Sequence, residues 1–280
     1  MTSLTIAMAL QQAHGQLQQV SETPLLDAEI LLAEVLKVSR TYLFAFAERE
    51  LTVAEINQFE RFVMERRQHV PLAYITGHKE FWSLDLRVTP DTLIPRAETE
   101  LLVEQVLQQV SGENKTIADC GTGSGAIALA LAYERPHWEI HATDCSLPAL
   151  QVARDNALRH GLFQVIFHQG NWLDALPRDK KFDVIVSNPP YIAEQDPLLQ
   201  CASLSYEPRT ALAAKENGLK DLRHIIKEAR SYLKPGGLLL LEHGFEQAGE
   251  IRRIFANMGY SHINTYSDLA GLDRVTGGSF

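Results

Sequence analysis

The sequence predicts an α/β protein: a parallel sheet covered by helices on both faces, preceded by a small all-helical part and joined to it by a β-hairpin. Three observations carry this. From residue 116 onward, short apolar runs alternate with longer helical patterns, and such alternation builds a parallel sheet because each crossover lays a helix on one sheet face. Gly121-Thr122-Gly123-Ser124-Gly125 follows directly on the apolar run 116–120 and opens into the helical run 126–132, which is the strand, glycine loop and helix of a nucleotide-binding unit. Before residue 70 the apolar residues recur with helical spacing and carry no strand alternation.

Residues 1–70 show helical periodicity over 4–20, 25–38, 42–49 and 53–69. Thr23-Pro24 puts a capping hydroxyl before a proline at the first helical position, and Thr52-x-x-Glu55 is a capping box. A bundle below about 80 residues makes a marginal core by itself, so this part is expected to lean on the rest of the chain and to orient a partner. Over 71–96 the pattern changes to short alternating runs, 79–82 and 84–88, read as the linking hairpin. The third part, 97–280, is predicted to begin with a helix over 98–110. Strands follow at 116–120, 138–143, 164–168, 182–187 and 238–242, alternating with helices at 124–134, 147–160, 219–233 and 245–258. Lys234-Pro235-Gly236-Gly237 reads as a turn before the last of these strands. Two final runs, 261–266 and 274–276, have no helix between them.

Composition narrows the class. Hydrophobic residues make up 45% and charged residues 22% of the chain, ordinary for a globular protein, and no apolar stretch approaches the roughly 18 residues that suggest a membrane span. The N-terminus lacks a basic region followed by an apolar core and a cleavage site, so secretion is not expected. Cys120, Cys145 and Cys201 are the only cysteines and make no Cys-x-x-Cys pair, which points to a reducing cytoplasm. A net charge of -9 argues against stable binding along a duplex nucleic acid, whose affinity comes largely from neutralised phosphates. Arg66, Arg67, Lys79, Arg87 and Arg96 gather loosely near the junction and read as a solvated face.

Asn188-Pro189-Pro190-Tyr191, at the end of the apolar run 182–187, is the strongest candidate for chemistry. Prolines cannot donate to a sheet ladder and push the preceding residue into extended backbone, so Pro189 and Pro190 stop the strand and leave main-chain carbonyls free. The Asn188 side-chain oxygen and the Pro189 carbonyl can then accept from a planar group with two N–H donors, with Tyr191 stacked on its face. An amide or an exocyclic amine fits; by itself the tetrapeptide also reads as a turn. The glycine loop has two readings as well. Gly121 to Ala126 satisfies the dinucleotide fingerprint and the Gly-x-Gly-x-Gly loop of S-adenosylmethionine (SAM) enzymes equally, and Asp144 closes the next strand where an acid would hold ribose hydroxyls. Trp172, after the third sheet strand, reads as a core ring or as one that packs on adenine. Glu207-Pro208-Arg209 reads as a loop anchor or a surface ion pair.

His137 and His141 have metal-ligand spacing for a helix, but in a strand such residues lie about 13 Å apart, so no metal site is assigned. Neither a nucleophile elbow nor a Walker-loop lysine is present, which removes the parts a hydrolase or kinase reading needs.

In their order along the chain, Asp119-x-Gly121-x-Gly123-x-Gly125, Asp144 and Asn188-Pro189-Pro190-Tyr191 resemble the amino-methyltransferase branch of the class I SAM-dependent methyltransferases, with their Rossmann-like sheet. Residues 93–100 (Leu-Ile-Pro-Arg-Ala-Glu-Thr-Glu), Tyr206-Glu207-Pro208-Arg209 and Asp273-Arg274-Val275-Thr276 are similar to one family within it, the release-factor glutamine methyltransferases, and the likeness runs over nearly the whole chain. Ala97 stands where that family usually has proline and Ser83 where it usually has glycine. The resemblance implies SAM as cofactor, held by Gly121, Thr122, Gly123, Ser124, Gly125, Asp144, Trp172 and Asn188, with Trp172 on the adenine. It implies Asn188, Pro189, Pro190 and Tyr191 as the substrate-binding set, with Asn188, Pro189 and Tyr191 catalytic. It also implies that 261–266 and 274–276 pair as the antiparallel hairpin closing the sheet. The substrate it implies is the glutamine side-chain amide nitrogen (N5) in the Gly-Gly-Gln motif of class I peptide-chain release factors, docked by the helical domain 1–70. An adenine N6-methyltransferase would use the same Asn-Pro-Pro-Tyr chemistry, and a glutamine methyltransferase of a ribosomal protein is the nearest alternative. A nicotinamide oxidoreductase would leave Asn188 to Tyr191 without a role, and a non-catalytic binding module would need no methyl-donor pocket.

Overall fold

The computed structural model describes residues 4–280, which form two compact units divided between Gly77 and His78. The first is helical: α1 (Ile6–Leu17), α2 (Pro24–Leu36), α3 (Arg40–Ala45), α4 (Val53–Arg67) and α5 (Leu72–Thr76). Local chemistry sets the helix starts. The Thr5 hydroxyl accepts from the Met8 N–H, that of Ser39 from Tyr42, and Thr52 with Glu55 forms the full capping box. Thr23 departs from expectation: Pro24 opens α2, but the Thr23 hydroxyl bonds the Asp27 carboxylate at 3.3 Å instead of capping the backbone. Asp27 in turn receives Arg66 Nε at 2.7 Å, a largely buried pair tying α2 to α4. Ile6, Leu17, Leu31, Leu32, Leu43 and Phe59 fill this unit's core.

Two segments differ from the sequence reading. The third helix spans Arg40–Ala45 instead of 42–49, because Ser39 caps it early and Phe46 leaves helical geometry. Residues 72–76, expected to begin the alternating linker, form α5 inside the first unit, entered at Pro71 and closed by left-handed Gly77.

The second unit opens with the hairpin β1 (His78–Phe81) and β2 (Leu84–Arg87), whose two-residue turn puts both Trp82 (φ 51°) and Ser83 (φ 61°) in the left-handed region. A single 3-10 turn, Ala97–Thr99, leads into α6 (Glu100–Gln109). The chain then runs β3 (Thr116–Cys120), α7 (Ala126–Glu134), β4 (Glu139–Asp144), α8 (Leu147–His160), β5 (Val165–Gln169), β6 (Phe182–Ser187), β7 (Ile192–Ala193), α9 (Arg209–Leu212), β8 (Ala213–Ala214), the short turn α10 (Lys215–Gly218), α11 (Lys220–Ala229), β9 (Leu233–Glu242), α12 (Ala248–Asn257), β10 (Ser261–Ser267) and β11 (Asp273–Ser279).

Seven strands form one sheet in the order β10-β11-β9-β6-β3-β4-β5. β9, β6, β3, β4 and β5 are mutually parallel, and β11 pairs antiparallel to both β9 and β10. The C-terminal runs therefore do form an antiparallel hairpin on the sheet. α7 is buried over every residue from Ala126 to Ala132, which explains why its sequence is apolar all round rather than on one stripe. One core packs this face of the sheet around Leu102, Ile117, Trp138 and Val184; another packs the opposite face around Phe182, Ile225, Leu239 and Phe255. The expected turn at 234–237 is an excursion within β9: pairing with β6 breaks between Leu233 and Leu238, and Gly236 is left-handed at φ 75°. Parallel order aligns the C-terminal ends of β3, β4 and β6, which carry the glycine loop, Asp144 and Asn188 respectively.

Candidate active site

A cavity of about 440 Å³ opens at those strand ends, within the range of roughly 300–1,000 Å³ usual for small-molecule sites. Gly121, Gly123, Asp144, Trp172, Asn188 and Pro190 all line it. Thr122, Ser124, Gly125, Pro189 and Tyr191, also singled out from sequence, are not on its lining.

The residues behind the wall shape the loop. The Thr122 hydroxyl donates to Asp119 Oδ2 at 2.6 Å, and the Ala128 N–H reaches the same oxygen at 3.2 Å. Asp119 is fully buried, its Oδ1 has no hydrogen-bond partner among the described residues, and burial pushes its carboxyl up to about 7. The Ser124 carbonyl accepts from Asn156 Nδ2 at 2.9 Å; the same buried amide exchanges bonds with the backbone of Arg87, tying hairpin, loop and α8 together. Gly121 is left-handed, and any Cβ there would meet the Trp172 ring at 2.7 Å. Gly123 is also left-handed, but a Cβ there would meet nothing within 4 Å. Glycine is thus needed at 121 for ring contact and at 123 for backbone conformation.

Asp144 accepts from the Gly123 N–H at 2.9 Å and from the Ser146 N–H at 2.8 Å, one bond to each carboxylate oxygen. Each oxygen keeps further acceptor capacity. A glycine loop with an acid and an indole on the cavity wall fits a nucleoside-bearing cofactor, with Asp144 available to ribose hydroxyls and Trp172 to a flat base.

Asn188 sits where β6 ends. Its Nδ2 donates to Thr99 Oγ1 at 3.0 Å, across 89 residues of sequence. That bond occupies the amide nitrogen and leaves Oδ1 available as an acceptor, which is the polarity an N–H substrate needs. Tyr191 is half-buried against the second core, and its hydroxyl donates to Glu242 Oε1 at 3.1 Å. Burial, with the Glu242 carboxyl close by, pushes the Tyr191 phenol well above its usual range. Gln247 Nε2 donates to the Tyr191 carbonyl at 3.0 Å and the Asn217 carbonyl at 3.2 Å, while its Oε1 accepts from the Gly244 N–H at 2.9 Å. The Asn-Pro-Pro-Tyr segment is therefore held at both ends.

Other candidates resolve in place. Glu207 is buried, accepts from the Ile94 N–H at 3.0 Å and pairs with Arg96, so it anchors the 93–96 loop. Arg209 is exposed and reaches the Glu194 carbonyl only at 3.5 Å. Of the junction cations, Arg66, Arg87 and Arg96 each pair with a carboxylate. His141 bonds His168 at 2.8 Å and Glu139 at 3.0 Å, not His137. Sequence reasoning missed Thr99, Gln247 and Glu242 as site residues. Glu242 left one signal, a carboxylate ending the apolar run 238–241; Thr99 and Gln247 are tied to the site only by tertiary contacts.

Known proteins resemble both parts of the chain. Residues 8–77 match the family model described as the PrmC N-terminal domain, and residues 111–265 match a methyltransferase domain. The chain is 50% identical to the release factor glutamine methyltransferase of Coxiella burnetii, over 97% of this chain and 98% of that protein. It is 46% identical to the protein of the same name from Vibrio cholerae, over 99% and 98%. Among solved structures the catalytic domain of hMettl16, crystallised with an RNA hairpin, shares the fold at a TM-score of 0.59 and 15% identity, over 81% of each chain.

Proposed function

The chain belongs to the release factor glutamine methyltransferase family, and on that premise we propose that it transfers a methyl group from SAM to the N5 amide nitrogen of the glutamine in the Gly-Gly-Gln motif of class I peptide-chain release factors. As a member of the family it is an enzyme, a class I methyltransferase with SAM as methyl donor. Family membership thus decides between the dinucleotide and SAM readings of the glycine loop. The residues that would hold SAM are Gly121 to Gly125, Asp144, Trp172 and Asn188. When bound, SAM supplies an electrophilic methyl on a sulfonium.

The protein's task is the nucleophile. An amide nitrogen is a poor one because its lone pair is delocalised into the carbonyl, the resonance that gives a peptide bond its rotation barrier of roughly 18–20 kcal/mol. As the nitrogen reacts, the lone pair leaves conjugation, positive charge builds and both N–H groups become stronger donors. Acceptors aimed at them stabilise the transition state more than the ground state. Asn188 Oδ1 and the Pro189 carbonyl are the proposed acceptors, and Tyr191, anchored by its hydroxyl, fixes the amide plane. No strong general base is required, since the proton leaves after the bond forms.

The observation that supports this most is the Asn188 to Thr99 bond, which occupies Nδ2 and spares Oδ1. Flanking glycines in the substrate let an extended loop enter a narrow site. We assign substrate docking to the helical domain, expected over residues 1–70, with the 71–96 segment as linker and 97–280 as the catalytic part. No stable nucleic-acid binding is proposed, in keeping with the acidic net charge. Release factors work in the cytoplasm, where the free thiols of Cys120, Cys145 and Cys201 suit the reducing conditions. Among the described residues no helix is long and apolar enough to cross a membrane. The test is Asn188→Ala: SAM affinity should be largely kept while turnover falls about a hundredfold, the scale of losing one transition-state hydrogen bond. Turnover within a fewfold of wild type would remove the acceptor role.

A further inference from the structure

Resting on the functional reading just given, we propose that Gln247 is a positioning residue: its side-chain amide fixes the Tyr191 backbone and so holds the ring in the attitude that sets the plane of the substrate amide. Gln247 closes the single 3-10 turn Phe245–Gln247, is half-buried and is not on the cavity lining. It reaches the reaction only through Tyr191.

Donor and acceptor counting leaves this amide one orientation. Nε2 carries two protons to donate, and Oε1 only accepts. Nε2 lies 3.0 Å from the Tyr191 carbonyl oxygen and 3.2 Å from that of Asn217, so each proton has an acceptor, while Oε1 takes the Gly244 N–H at 2.9 Å. Turned over, the amide would set an oxygen against two carbonyls and a donor against a donor, losing all three bonds. The Gln247 N–H also returns a bond to the Gly244 carbonyl at 2.9 Å, which steadies its own backbone. Tyr191 is thus gripped at two points by one stretch of chain: Glu242 accepts from its hydroxyl at 3.1 Å, and Gln247, further along that stretch, donates to its carbonyl. Hydroxyl and carbonyl lie at opposite ends of the residue, so the two bonds together restrict a tilt of the ring that either alone would leave free.

The third segment at this amide is strained. Glu216 (φ 55°, ψ 47°) and Asn217 (φ 56°, ψ 38°) are both left-handed, and Gly218 follows at φ 83°. Successive left-handed residues are unfavourable for L-amino acids, and such backbone persists only where its surroundings over-determine it. Here it sets the Asn217 carbonyl against Gln247 and brings Gly218 so close that a Cβ would stand 2.7 Å from Nε2. The turn follows β8, whose partner β7 begins directly after Tyr191. The Gln247 amide therefore joins three segments, distant in sequence, at the residue whose ring is assigned to the substrate. A methionine would fill a similar volume but leave two carbonyls unpaired, and a glutamate carboxylate would oppose them with a further acceptor.

The test uses the full-length protein, an intact class I release factor and labelled SAM, with kcat and KM for the factor measured beside SAM affinity by calorimetry. Gln247→Met should lower kcat about tenfold and Gln247→Glu by more, while KM for the factor and the SAM dissociation constant each stay within about threefold of wild type. The split follows from the assignments: docking belongs to the helical domain and SAM to the glycine loop, whereas Tyr191 orients the amide already bound. A residue that only supports the fold would shift all three constants together. Wild-type kcat in either variant, a loss confined to KM or to SAM affinity, or a parallel loss in all three overturns the proposal. If Gln247→Glu does not fold, Gln247→Met decides on the same split; failure of both to fold also overturns it, since the amide would then serve the fold. Absence of transfer to the release factor by wild type would instead strike the functional reading on which the proposal rests.

Discussion

Single side chains in this protein do one of two things: they face the cavity, or they hold those that do. Asp144 does both, since it caps the Gly123 N–H and lines the cavity wall. Asp144→Ala should weaken SAM binding by roughly 1–3 kcal/mol, the cost of leaving buried partners unpaired; a calorimetric titration showing unchanged affinity would remove it from the cofactor site. Asp119 is a holder. Burial raises its carboxyl from 3.8 to about 7, so the folded protein keeps a proton there that the unfolded chain releases above about pH 4. The linked stability is fully present below the unfolded value and is lost as pH rises toward 7. Denaturant melts across that window should therefore fall less steeply with pH for Asp119→Asn than for wild type, and parallel slopes would contradict the assignment. The residues themselves divide by legibility. Gly121, Asp144 and Asn188 were readable because a strand end, a glycine loop and a proline pair are local signals. The bond from Asn188 to Thr99 spans 89 residues, and no local pattern encodes it.

At the scale of elements, strong punctuation made boundaries legible and weak punctuation did not. The helix predicted over 147–160 is observed as Leu147–His160 because the Ser146 hydroxyl caps it, Pro148 sits in its first turn and left-handed Gly161 ends it. The helix Leu72–Thr76 was unreadable: five residues between Pro71 and Gly77 show too little periodicity. β7 and β8, two residues each, exist only because the chain returns to pair Ile192 with Ala213. Next to them Gly218, at φ 83°, lies so near the Asn-Pro-Pro-Tyr segment that a Cβ would fall 2.0 Å from the Tyr191 carbonyl oxygen. Gly218→Ala should displace that segment and lower turnover about tenfold or more while SAM binding changes little; full turnover would show that the segment tolerates the shift. The β1–β2 turn offers the opposite case. Ser83 holds a left-handed conformation that costs a non-glycine residue about 1 kcal/mol, so Ser83→Gly should raise stability by roughly 0.5–1 kcal/mol in denaturant unfolding. A loss of stability would mean that chain entropy outweighs the relieved strain.

For the whole molecule, the parallel sheet was legible from alternation alone, and its antiparallel end from family resemblance. The chemistry of Asn188 to Tyr191 asks only for a planar group with two N–H donors, so selection of one protein must come from elsewhere, and the helical domain is the proposed source. Binding energy spent away from the reacting centre holds the glutamine in attack geometry. A short Gly-Gly-Gln peptide should therefore be a much poorer substrate than the folded factor, and removing residues 1–77 should impair methylation of the factor far more than SAM binding. Equal rates on peptide and protein would remove the docking role. The most direct measurement locates the methyl group itself: the full-length enzyme is incubated with labelled SAM and an intact class I release factor, and the product is digested and sequenced by mass spectrometry. A single methyl on the side-chain nitrogen of the Gly-Gly-Gln glutamine, absent with Asn188→Ala, is the predicted result; an unmodified factor, with the label on a ribosomal protein or on adenine in nucleic acid, would contradict it.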